Sequence, residues 1–460
     1  GALNMVLVAG YSGTGKSALV SELHKPITEK CGHFIEGKFD QFQRVVPYFA
    51  ILQAFQSYID LLLTEREEYL LELRETIQNA VGKEGRVVTS VLPNLELIIG
   101  EQPAVPDIGG AETQHRFNYV FSRFVEAISS KNHPITLFID DLQWADTASL
   151  NLLKVLMTDS SNSYLLCIGA YRDNEVSESH PLMIALAEMR ESGAEINTIK
   201  VENLLTEDVN ALLSESLASS LSEIAPLGEL VYAKTQGNAF FVTQFLKSLY
   251  QDGQLYFDND ETRWRWDLKE IEQLDITDNV VELMASKIQK LPQETQQLLK
   301  LAACVGSRFD LDTLAVIDEK KVQLVKEGLQ DALFEGLLVP MGEQYRFAHD
   351  RIQQAVYSLI PEADRSSLHL SIGKLLLETL GPEQQEERLF DIVNQWNQGI
   401  DSIQAKKQKD MLAELNLRAA RKAKRASAFR PAFAYLQTGI GLLPSDAWKS
   451  HYALSRDLYT

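Results

Sequence analysis

Cysteine is scarce in this chain. Its 460 residues contain three, Cys31, Cys167 and Cys304, far apart in sequence. That spacing excludes a disulfide framework and any metal site built on closely spaced cysteines. The three are expected to be reduced and mostly buried. Long apolar runs are missing too. No stretch approaches the roughly 18 apolar residues of a membrane-spanning helix. No secretory leader is read at the start, where the first apolar run is short and leads into a glycine loop. A cytoplasmic location is the default expectation. Positive charge is in deficit: 44 Lys and Arg stand against 64 Asp and Glu, a net charge of −20. A nucleic-acid binder needs a basic footprint that neutralises phosphates, so nucleic acid is not an expected partner. One stretch runs the other way. Between Asp401 and Arg430 nine Lys or Arg face three acids. A solvated helix face is the favoured account; a docking face for an acidic partner or a neighbouring domain is the sharper alternative. The chain also lacks a His-Arg-Asp catalytic loop and the guanine-reading Asn-Lys-x-Asp pattern.

What is present suggests several cores. Hydrophobic residues make up 45% and charged residues 23%, ordinary values for a chain of about three domains. Met5–Ala9 is a short apolar run bounded by glycine, the pattern of a buried parallel strand. A helix follows, bent or ended by Pro26. Further strands are expected at His33–Phe39, Ile135–Ile139, Tyr164–Ala170 and Ile196–Val201. Residues 48–100 read helical, Pro103–Gly110 as a loop, and Phe117–Ile128 as an amphipathic helix. Strands alternating with helices predict a mostly parallel α/β sheet with its ligand edge at the strand ends. Thr206–Tyr250 is helical. Leu255–Asp258 and Arg263–Asp267 form a hairpin, with Trp264 and Trp266 on one side. Three helical segments (Val281–Lys290, Pro292–Val305, Val322–Glu335) precede short strands at Leu337–Met341 and Tyr345–Phe347, which suggests a winged helix. After Pro361 the chain is helical, like the start of a repeat array.

The chemistry concentrates at three strand ends. Gly10-x-x-x-x-Gly15-Lys16-Ser17 matches the Walker A pattern at every fixed position. Glycines let the backbone turn tightly and aim N–H groups at phosphate oxygens, and the following helix adds its positive end. Gly10, Gly13, Thr14, Gly15, Lys16, Ser17 and Ala18 are therefore the nucleotide-binding candidates. Lys16 would reach the β- and γ-phosphates, and the Ser17 hydroxyl would ligate Mg²⁺. The second strand end, Ile135–Asp141, is an apolar run closed by two acids. Asp140 would hold Mg²⁺, and Asp141 would orient the attacking water. The third is Tyr171-Arg172-Asp173. Arg172 is either a donor to the γ-phosphate or an arginine salt-bridged to Asp173. Together they predict an α/β P-loop NTPase sheet with helices on both faces.

In order and spacing these motifs resemble the signal-transduction ATPases with numerous domains, the STAND class related to AAA+ ATPases. Gly237-Asn238-Ala239-Phe240-Phe241 resembles that class's Gly-x-Pro motif, with Ala239 in place of proline. Phe347-Ala348-His349-Asp350 resembles its histidine motif, which implies that His349 touches the β-phosphate of ADP. More narrowly, Gly37-Lys38-Phe39-Asp40-Gln41, Pro47-Tyr48, Asp140–Asp146 and His349–Ala355 resemble the ATPase module of bacterial signalling proteins. There it lies between a serine/threonine kinase domain and GAF and histidine kinase domains. The resemblance implies an ATPase domain over 1–203, a helical lid over 204–279, a winged helix over 280–360 and a helical, tetratricopeptide-like segment over 361–460. It implies ATP or ADP and Mg²⁺ as ligands, slow hydrolysis, and protein partners or neighbouring domains on the C-terminal helices. Any kinase activity would lie outside this chain. Both ends are expected to be cut. The oligomeric state is left open, assembly on activation included. The expected function is a nucleotide-driven switch: ADP is clamped between the α/β domain, the lid and the winged helix by Lys16, Ser17 and His349, and ATP exchange lets the winged helix and helical repeats swing away. Two alternatives stand beside it: a nucleic-acid loader resembling origin-recognition ATPases, which the charge disfavours, and a non-hydrolysing nucleotide-bound scaffold.

Overall fold

The computed structural model describes residues 4–41, 46–106, 110–273, 279–426 and 428–460. Five parallel strands form the first sheet: β1 (Asn4–Ala9), β2 (His33–Lys38), β3 (Ile135–Asp140), β4 (Leu165–Tyr171) and β5 (Ile196–Lys200). Their order is β2-β3-β4-β1-β5. β4 thus lies between the glycine-loop strand and the strand that carries the acid pair. Every residue of β3 is buried, as its unbroken apolar run requires. One face of the sheet packs under Leu7, Ile35, Leu137 and Cys167, against the phenylalanines of the helix Gly110–Ile128. The other face holds the smaller cluster of Val8, Val20, Phe138 and Ile168. Both faces are covered, and the exposed carboxyl edge is left for ligands.

The helix after the glycine loop is two pieces, Lys16–Ser21 and His24–Glu29. Pro26 sits in the first turn of the second piece, where a missing N–H costs nothing. Thr206–Ser216, Leu221–Thr235 and Ala239–Gln251 form a helical layer with a core of its own, from Val209 to Ile271. β6 (Leu255–Asp258) and β7 (Arg263–Trp266) form the expected hairpin. Both tryptophans pack on this core.

The next unit contains more than the sequence indicated. A third strand, β8 (Arg308–Asp310), joins β9 (Leu338–Met341) and β10 (Gln344–Phe347) in the order β8-β10-β9. The expected single helix Val322–Glu335 is instead two short helices, Val322–Gly328 and Gln330–Phe334. Gly328, whose carbonyl accepts from Thr295 Oγ1, marks the break. One continuous core then runs from Met284 to Tyr435. It takes in the helices Asp350–Ser358, Glu362–Thr379, Leu389–Gln398 and Lys406–Arg425. Part of the basic stretch is used internally. Arg418 pairs with Glu386, Arg421 with Asp457, and Lys422 donates to the carbonyls of Glu386 and Glu387. The cysteines are free and mostly buried: Cys167 and Cys304 lie inside, and Cys31 is exposed.

Candidate nucleotide site

The glycine loop leaves β1 at the carboxyl edge. Gly10 lies against the backbone carbonyl of Val201, just past β5, where a Cβ would collide. Gly13 has φ +85° and faces the amide of Asn238 at a distance that leaves no room for a side chain. Both positions demand glycine. Thr14 Oγ1 donates to the Tyr11 carbonyl at 3.0 Å. Lys16 is buried and donates to the carbonyls of Gly10 and Tyr11, each at 2.8 Å. Burial lowers its pKa, against the pull of Asp140 and Asp141. Gly15 has φ +98° and precedes the helix that starts at Lys16. Ser17 and Ala18 are exposed in its first turn.

Ser17 Oγ donates to Asp140 Oδ2 at 2.9 Å, across 123 residues of sequence. The two Mg²⁺ candidates are therefore adjacent. A hydroxyl beside one carboxylate fits a hard cation that takes its remaining oxygens from phosphate and water. Among the described residues no group of three or more His, Cys, Asp or Glu forms an all-protein cage.

Asp141 follows Asp140 with φ +57°. Its Oδ1 accepts from Gln143 Nε2 at 2.7 Å and lies 3.2 Å from Arg172 Nε. Its Oδ2 is 3.0 Å from Lys38 Nζ. Burial pushes its carboxyl up to about 7 despite those cations. Arg172 is buried, and its guanidinium lies 4.5 Å from the centre of the Trp144 ring. It pairs with Glu175 at 2.9 Å and Asp350 at 2.7 Å in addition to Asp141. Its acidic partners are thus these three rather than Asp173.

Asp350 is the first residue of the helix after β10, so an element of the third unit enters the site directly. Its Oδ1 is 2.6 Å from Lys38 Nζ. Burial alone would raise its pKa, but Lys38, His349 and Arg172 hold it well below the usual carboxylate range. Burial would likewise lower Lys38, yet Asp141, Asp350 and Asp140 hold its ammonium well above the usual lysine value. Lys38 ends β2, in register with Asp140 on β3.

His349 lies one residue behind this cluster. Its Nδ1 accepts from Arg351 N at 3.0 Å, capping the helix, and its ring stacks on Phe240 at 4.0 Å. Burial pushes its imidazole down to about 4. Phe240 N in turn donates to the Gly13 carbonyl at 2.9 Å, and Asn238 Nδ2 donates to the Ser12 carbonyl at 2.8 Å. His349 thus meets the glycine loop through Phe240.

The structure gathers Lys16, Ser17, Asp140, Asp141 and Arg172 at one sheet edge. Sequence reasoning assigned no role to Lys38, Gln143, Asn238 and Asp350. All four stand inside quoted motifs, and for Lys38 and Asp350 their opposite charges were the available signal.

A five-stranded parallel sheet in this order, with a glycine loop after β1 and an acid pair after β3, defines an AAA+-like P-loop fold. Residues 1–168 match the AAA ATPase domain family. It is 27% identical to the hybrid signal transduction histidine kinase G of Dictyostelium discoideum, over 100% of this chain and 17% of that protein. It is 21% identical to the peroxide stress-activated histidine kinase mak3 of Schizosaccharomyces pombe, over 88% of this chain and 19% of that protein. The chain thus spans less than a fifth of either relative. Among solved structures it is similar to the Signal Transduction ATPase with Numerous Domains protein with a tetratricopeptide repeat sensor from Pyrococcus horikoshii. That match has 15% identity and a TM-score of 0.48, covering 100% of this chain and 59% of that one. It is also similar to Cdc6p from Pyrobaculum aerophilum, at 12% identity and a TM-score of 0.32 over 82% of this chain and 88% of that one. Among the described residues no helix is long and apolar enough to cross a membrane.

Proposed function

We propose that this chain is an ATP-binding, slowly hydrolysing switch that couples nucleotide state to the position of its winged-helix and C-terminal helices within a larger signalling protein. One observation carries the proposal. The winged-helix residue Asp350 lies 2.7 Å from Arg172 and 2.6 Å from Lys38, beside both acids of the nucleotide site. A γ-phosphate is a competing anion for the same cations. ADP and ATP would then bind the docked and undocked states with different affinity, the condition for a switch.

In this mechanism the glycine loop and Lys16 bind the phosphates. Ser17 and Asp140 would hold Mg²⁺, which when bound neutralises phosphate charge. Asp141 orients a water whose oxygen bonds to the γ-phosphorus as the β–γ bridging bond breaks. ADP leaves with the electron pair, and the water proton passes to Asp141 and then to solvent. The Phe240–His349 stack reports the loop's position to the winged helix. Signalling relatives that contain a related module support the setting; regulation of attached kinase or sensor domains belongs to this proposal.

The test is a distance measurement. Spin labels at Leu97→Cys and Phe334→Cys, both exposed, in a Cys31→Ser background report the separation of the ATPase and winged-helix units. A longer distance with a non-hydrolysable ATP analogue than with ADP is expected. The same distribution with both nucleotides would overturn the switch.

A further inference from the structure

Lys38 has three carboxylates within reach: Asp350 at 2.6 Å, Asp141 at 3.0 Å and Asp140 at 3.7 Å. Two of them belong to the ATPase sheet and move with Lys38. The third belongs to the winged helix. Asp350 makes the shortest contact and also takes one arm of Arg172. Neighbouring contacts show how the winged helix is docked. Alternate residues of the β2 edge read it in turn: Glu36 pairs with Arg308 at 3.1 Å, Lys38 with Asp350, and Asp40 Oδ2 accepts from Ser307 N at 2.9 Å. Side chains two apart share a strand face, so Glu36 and Lys38 of β2 and Asp40 just past it form one row along the contact. The seam is tight. About 10 Å³ of cavity remains between Lys38, Asp40, Trp144, Ser307 and Asp350, room for about one water.

From this geometry we infer that Lys38 is a positioning residue for hydrolysis, and that Asp350 of the winged helix holds it out of use. Docked, Lys38 is shared between Asp350 and Asp141, so its ammonium is already paired on both sides. Undocked, its ammonium bears on Asp141 and on the incoming γ-phosphate, orienting the acid that holds the water. The winged helix thus governs the rate of hydrolysis through one lysine. The inference rests on Asp141 being the water-orienting acid of the proposed ATPase.

The test is a double-mutant cycle on the full 460-residue chain, reading kcat and KM for ATP hydrolysis alongside ATP affinity. Asp350→Asn should raise kcat roughly tenfold, a barrier change of about 1.4 kcal/mol, with KM moving less than about threefold. Adding Lys38→Met, or Lys38→Gln if the first folds poorly, should remove that gain. Adding Lys38→Arg should retain most of it. If the gain survives loss of Lys38, the route runs through Arg172 or simple undocking, and the inference falls. An unchanged kcat in Asp350→Asn overturns it as well. The failure of the underlying reading looks different: Asp141→Asn would then hydrolyse ATP as fast as the parent.

Discussion

Gly13 stands where three demands meet. Its φ of +85° disfavours any L side chain, Asn238 occupies the space a Cβ would need, and its carbonyl accepts from Phe240 N. Gly13→Ala should therefore cost about 1–3 kcal/mol of stability and weaken nucleotide binding. Urea unfolding and ATP titration would check both, and an unchanged midpoint would mean that the loop relaxes freely. A second residue-scale expectation concerns pH. His369 is almost completely buried, with Nδ1 2.7 Å from Gln395 Oε1 and Nε2 3.1 Å from the Tyr357 hydroxyl. Burial lowers its pKa, partly opposed by Gln395. The unfolded chain takes up this proton near pH 6.5, whereas the folded chain does so only at lower pH. Its contribution is therefore fully present above about 6.5 and shrinks as pH falls, by at most about 1.4 kcal/mol per unit. His349, pushed down to about 4, acts in the same direction. Asp141, pushed up to about 7 by burial, acts in the opposite direction, so the readout is the difference between the two chains: from pH 7.5 to 5 the parent's urea midpoint should fall relative to that of His369→Gln. Identical slopes for parent and variant would remove His369 from the account.

At the scale of elements, legibility followed the strength of local pattern. Three strands of the first sheet, β1, β3 and β4, announce themselves as apolar runs of six or seven residues; β2 carries Glu36 and Lys38, and β5 carries Asn197, Thr198 and Lys200, so both are fainter. Their order was not legible, because pairing β4 beside β1 is decided by packing far along the chain. The short strand β8 was missed for a different reason. Three residues, Arg308–Asp310, carry no period, and only their pairing with β10 makes them a strand. The break at Gly328 was hidden because the apolar spacing continues across it. The site followed the same rule. Lys16, Ser17, Asp140 and Asp141 sit in contiguous motifs, whereas the bond from Asp350 to Lys38 joins residues more than 300 apart. Asn238 shows how one residue serves two elements. Its Oδ1 accepts from Phe241 N and caps the helix Ala239–Gln251, while its Nδ2 donates to the Ser12 carbonyl. Asn238→Ala should cost about 1 kcal/mol through the lost cap. Asn238→Asp keeps the cap and loses the donor. If Asn238→Asp binds ATP as tightly as the parent, the bond to the loop carries no binding energy.

At the scale of the whole chain, two of the grips on the ATPase unit lie far apart. One is the β2 row beneath Asp350. The other lies at the helix Thr147–Thr158, just past the acid motif. There Ala428 is completely buried within the core of the first sheet, and Arg430 donates to Thr147 Oγ1 at 3.1 Å. Asp146 caps that same helix by accepting from Ala148 N and Ser149 N, and also accepts from Tyr48 N. The unit built around β8, β9 and β10 and the C-terminal helices share one core. Releasing one grip therefore strains the other, and both should open together. Ala428→Trp tests that coupling. It overfills a buried site, at a cost of about 1–3 kcal/mol, without touching Lys38, Arg172 or Asp350. Amide exchange should rise at the start of the helix Thr147–Thr158, where the C-terminal segment docks. If the grips are coupled, exchange should rise as well along β2 at Glu36–Lys38, on the far edge of the sheet. Faster exchange at the first place with β2 unchanged would show that the C-terminal helices detach alone and that the shared core does not transmit their release.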